Sequence, residues 1–113
     1  MMNEAVTVFR RQYLIDTGVA VITSSPIEAR GNEVVLSVLL INAVVSGGRL
    51  IVYLEGSYDG QSWFDLATNV SLTAFGHGSA SKSGLDSAYV RLRAVAEATA
   101  EVIFDATVAF SEQ

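Results

Sequence analysis

The chain has 113 residues, half of them hydrophobic, with only 17% charged and a net charge of −5. A single domain of this size without cysteine rules out a disulfide framework, a thiolate nucleophile and a cysteine metal site. The acidic balance lacks the Lys/Arg excess that phosphates demand, which sets aside nucleic acid and anionic membrane surfaces, while the apolar content exceeds what one small core holds and points to a covered interface.

The first fifteen residues, MMNEAVTVFRRQYLI, place Glu4 early and Arg10-Arg11 midway, so no targeting segment is expected. A strand is predicted over 5–15, broken near Arg10-Arg11. The sparse charge of MMNEAVTVF also permits residues 1–16 to form an arm reaching a neighbour. A second strand is predicted over 18–23, ended by a turn at Ser24-Ser25-Pro26.

The third, over 33–45, reads EVVLSVLLINAVV and does not alternate. Both of its faces are apolar, as when each side of a strand is covered. Either it is a central strand with a loop lying over it, or its outer face meets another subunit. Val35, Leu39 and Ile41, with Val8 and Tyr13 of the first strand, are the candidate interface residues. Even this stretch falls short of the roughly twenty residues needed to cross a bilayer.

Ser46-Gly47-Gly48 is predicted to close a hairpin into the strand 49–57. There the densest cluster of distinctive residues begins: LEGSYDGQSWFDL, residues 54–66. Gly56 permits a bulge or a close backbone approach. Asp59-Gly60 is a strong two-residue turn signal. Trp63 is expected to fold back as a core anchor of this hairpin, and Asp65 to accept from backbone or to pair with Arg91 or Arg93.

Strands at 63–67 and 69–75 follow. Residues 76–87, GHGSASKSGLDS, are small and polar with three glycines, and are expected to form a flexible loop. Over 88–96 the alternation puts Val90, Leu92 and Ala94 inward and Tyr89, Arg91 and Arg93 outward. Over 100–111 it puts Val102, Phe104, Ala106, Val108 and Phe110 on one core face. No stretch carries a capped helical stripe. The expected fold is all-β: one antiparallel β-sandwich domain, jelly-roll-like, of about eight strands spanning 1–113.

Catalytic and metal chemistry find little to stand on. The single histidine, His77, lies between Gly76 and Gly78, where nothing would hold a general base. One histidine without cysteine excludes zinc. Glu55, Asp59 and Asp65 lie close together, but SYDGQSWFD lacks the alternating carboxylates of a calcium loop. The glycine-rich stretches run into strands rather than a helix, so no phosphate cradle forms. No catalytic, cofactor or metal residues are assigned, and no enzyme is expected. Tyr58, Gln61 and Trp63 are the candidate ligand contacts, since neighbouring aromatics can stack on a sugar.

The run LEGSYDGQSWFDL resembles the L-x-G-S-x-D-G-x-x-W-x-x-L segment of discoidin-like sandwiches, and segments of small all-β proteins in tailed-phage-like particles. YVRLRAVAEATAEV is similar to the strand–turn–strand that ends such domains. The matching positions are Leu54, Gly56, Ser57, Asp59, Gly60, Trp63 and Leu66, then Tyr89 to Arg93. The discoidin likeness implies a scaffold hairpin and no ligand residues, and this chain is shorter and without that family's terminal cysteine pair. The phage-type likeness fits better on size and apolar content. It implies a non-enzymatic structural protein that self-associates, or decorates a virion-like particle by packing on its other proteins. The alternative expectation is a carbohydrate-binding module using Tyr58, Trp63 and the 76–87 loop.

Overall fold

A computed structural model describes residues 4–15, 21–43, 49–73, 76–97 and 101–112. Among them are nine strands and no helix: β1 (Glu4–Ile15), β2 (Val21–Thr23), β3 (Ile27–Glu28), β4 (Glu33–Ala43), β5 (Arg49–Ser57), β6 (Phe64–Leu72), β7 (Gly76–Ser83), β8 (Tyr89–Glu97) and β9 (Glu101–Ser111).

The cause of this pattern is clearest in β9. Val102, Phe104, Ala106, Val108 and Phe110 are buried while the residues between them are half-exposed. Period-two alternation is what a strand with one buried face requires. Val34, Leu36, Val38 and Leu40 of β4, and Val90, Leu92, Ala94 and Ala96 of β8, supply matching inward rows.

All pairings are antiparallel. One sheet has the order β1-β9-β4-β7 and the other β2-β8-β5-β6, with β3 also on β8. Only β5 and β6 are consecutive strands that pair with each other. Every other connection between strands, apart from the short step from β2 to β3, crosses from one sheet to its partner. The protein is therefore an antiparallel β-sandwich of jelly-roll connectivity, with first and last long strands paired side by side.

Several expectations are corrected. Ser46-Gly47-Gly48 lies outside the described residues, but β4 and β5 belong to different sheets, so the connection is a crossover and not a hairpin. The two strands expected at 63–67 and 69–75 are one strand, β6. Opposite the step from Leu54 to Glu55, β6 holds two extra residues, Leu66 and Ala67, and Ala67 takes a left-handed φ of 57°. That bulge disguises a continuous strand as two.

Most of the expected 76–87 loop is β7. From Gly76 to Ser83 it pairs with Leu40 back to Glu33 without a register shift. A strand low in β propensity is held here by a tertiary neighbour, and glycine is demanded by packing. A Cβ on Gly78 would lie 2.6 Å from Val70 Cγ1. Nor are residues 4–15 a free arm: β1 pairs with β9 along its length, and Phe9 and Leu14 are core residues. Their five-residue spacing suits one face because the strand is irregular near Arg10-Arg11, where Arg11 has a φ of 49°. Phe9 meets Phe104 edge-on at 5.6 Å.

Candidate functional site

The sandwich turns two different faces outward. On the β2-β8-β5-β6 sheet, Tyr53 and Glu55 of β5 stand opposite Arg93 and Arg91 of β8. Glu55 accepts from both arginines, from Arg91 Nε at 2.8 Å and Arg93 Nε at 3.2 Å. The guanidinium of Arg91 lies 4.3 Å from the ring centre of Trp63, and that of Arg93 lies 4.3 Å from that of Tyr53. A single carboxylate thus separates two cations, and each cation covers an aromatic ring.

Trp63 is half-buried beneath Arg91 and is not the core anchor expected of it. Asp65 does not pair with either arginine. Its Oδ1 accepts from the backbone N–H of Ala67 at 2.7 Å, supporting the bulge, and Glu55 takes the ionic role.

The connection over 58–63 is longer than a two-residue turn, and it is built from its own side chains. Ser57, fully buried, accepts from Gly60 N at 2.8 Å. Asp59 Oδ1 accepts from the backbone N–H groups of Ser62 and Gln61, each at 2.9 Å. Those N–H groups, Ser62's first, then Gln61's, and then the Ser57 hydroxyl, hold the Asp59 carboxyl below its ordinary value. Gly60 does take the expected positive φ, 79°. At Gly56 the close approach occurs and not a bulge: a Cβ there would lie 2.5 Å from Ser87 Oγ.

Of the candidate ligand contacts, Tyr58 is 63% exposed, with its ring 5.3 Å from Phe64 and its hydroxyl 3.4 Å from the Asp86 carboxylate. Gln61 is exposed on the same loop. The part of 76–87 that reaches them is the connection after β7, through Asp86. Residues 76–83 run away along the other sheet.

The β1-β9-β4-β7 sheet is the contrast. Val35, Ser37, Leu39 and Ile41 of β4 point away from the core, which resolves which face of EVVLSVLLINAVV is outward. Leu39 is 43% exposed. Beside this row, Val35 stands opposite Ala109 and Ser81, and Ser37 opposite Thr107 and Ser79. Tyr13 shares this face, 45% exposed, its hydroxyl 2.9 Å from Glu101. That carboxylate raises the Tyr13 phenol above its ordinary value. Val8 does not share the face; it packs against the core.

A shallow depression of about 250 Å³ on this face is lined by Ser37, Leu39, His77, Asp105 and Thr107. Serine, histidine and aspartate are the residue types of a hydrolase triad, but Leu39 stands between Asp105 and His77 in one cross-strand row. Two strand spacings place their backbones about 9.5 Å apart. Asp105 is engaged by Arg11 N–H instead. Among the described residues, no group of three His, Cys, Asp or Glu is placed to hold a metal ion.

The aromatic–arginine ladder is the feature that reading along the sequence missed. Its signal was present as Tyr53/Glu55 and Arg91/Arg93, two same-face pairs, but only the register between β5 and β8 brings them together. No protein-family model matches this chain, and no curated protein matches it.

Proposed function

We propose that this protein is a non-enzymatic assembly module, associating with copies of itself or with other subunits of a virion-like particle through its β1-β9-β4-β7 sheet. The observation that carries the reading is the outward row Val35, Leu39 and Ile41 of β4, in which Val35 is flanked by Ala109 and Ser81, and Leu39, 43% exposed, is flanked by Asp105 and His77. Apolar side chains left outward on a sheet lose unfavourable hydration when a second surface covers them. The low charged fraction of the chain supports the same reading. The likeness of LEGSYDGQSWFDL to segments of phage-type proteins supports the setting. Jelly-roll topology does so only as an analogy, since lectin domains use it too.

A sugar-binding module is the second reading, favoured by the exposed Tyr58 beside Phe64. Coverage of Trp63 by Arg91 counts against it, because stacking needs an open ring. Light scattering on the native protein at micromolar concentration separates the two. A defined multimer of the 12.0 kDa chain is expected. A monomer whose tryptophan fluorescence shifts with oligosaccharide would overturn the assembly reading in favour of the second.

A further inference from the structure

A sandwich exposes the outer backbone groups of its edge strands, and such edges invite pairing unless they are blunted. In this chain most are. β1 carries two register shifts along its length. β2 and β3 are three and two residues long. β6 is broken by the bulge at Ala67. β7 is different: its eight residues pair with β4 in unbroken register, no strand lies on its other side, and no described residue hydrogen-bonds to its outer backbone.

We propose that β7 pairs with β7 of a second copy, antiparallel about a two-fold axis at Ser79, joining two four-stranded sheets into one continuous sheet. The inference rests on the assembly reading and names its contact. A second copy is the partner because a two-fold axis pairs a strand with itself antiparallel, and among the described residues no other edge strand is both unbroken and long enough to accept β7.

The position of the axis follows from side-chain parity. For the joined sheet to keep its faces, odd-numbered residues of β7 must oppose odd-numbered ones. Lys82 lies on the inner side, opposite Val34. An inward lysine at an edge repels most partners. With the axis at Ser79, Lys82 stands opposite the partner's Gly76, where no atom comes within 4 Å of a Cβ position. With the axis at Ala80 it would stand opposite the partner's Gly78, whose Cβ position Val70 already fills at 2.6 Å.

The absence of cysteine makes the test direct. Residues facing each other across antiparallel strands are about 4.5–5.5 Å apart, within the span of about 4.4–6.8 Å that a disulfide needs. Under mild oxidation, Ser79→Cys is expected to shift from 12.0 kDa to a covalent species of twice that mass. Ser71→Cys, equally exposed on β6, should stay single. Native multimers without that link, or equal linking in both variants, overturn the edge contact and leave the assembly reading standing. A native chain that is monomeric at every concentration overturns both.

Discussion

The outward faces of the two sheets meet the same problem in opposite ways. On β5 and β8 the exposed positions hold large and charged side chains, yet these neutralise and cover one another: Glu55 takes both arginines, and the arginines cover Trp63 and Tyr53. On β4 the equivalent positions hold Val35, Leu39 and Ile41, between neighbours too small or too polar to cover them. The charged ladder is satisfied within the monomer, although Val21 of the same sheet is 50% exposed. The β4 face has no such ladder, and Leu39 in its outward row is 43% exposed; that difference supports placing the candidate interface there.

The comparison can be broken from either side. The largest effect is expected for Glu55→Ala, which leaves two adjacent cations without their carboxylate. It should cost about 2 kcal/mol in urea unfolding, less than a fully buried pair would, because the arginine side chains remain 26% and 35% exposed. The native mass should not change, since the proposed association uses the other sheet. A change in mass with Glu55→Ala would show that the two faces are not independent.

Gly60→Val comes next, at about 1–2 kcal/mol, because a branched side chain opposes a φ of 79°. Space is not the obstacle, as the nearest atom to a Cβ there is Tyr89 Cε2 at 3.6 Å. A measured cost near zero would remove the backbone argument for this loop.

Leu39→Glu should alter monomer stability by no more than about 0.5 kcal/mol, as expected of a surface site. In native mass measurement it should abolish association through the β4 face, leaving at most the dimer joined at β7. A multimer unchanged by this substitution would move the interface off the β4 face.

The smallest effect is the pH dependence carried by Asp59. Its carboxyl is held below the ordinary 3.8, so the stabilisation it supplies is present above that value and lost as pH falls through the lower folded one. The difference in melting temperature between the parent and Asp59→Asn should be constant at neutral pH. It should close only below about pH 4. A gap that closed at higher pH would assign the effect to another group.

Legibility followed the range of the forces involved. The alternation of β8 and β9 is local, and their inward rows could be read directly from Val90-Leu92-Ala94 and Val102-Phe104-Ala106. Gly60 was legible for the same reason, since a positive φ is a property of one residue. β7 was not, because GHGSASKS has no propensity of its own to declare; only its pairing with β4 makes it a strand. Trp63 was misplaced because its burial depends on Arg91, twenty-eight positions away in sequence.

By itself, then, the sequence determined the all-β class and the inward rows, because periodicity acts over a few residues. Tertiary structure alone decided which face of β4 points outward, that β4 and β5 lie in different sheets, and that Glu55 rather than Asp65 holds the arginines. Those outcomes depend on register and sheet order, which are set by packing between strands far apart in the chain.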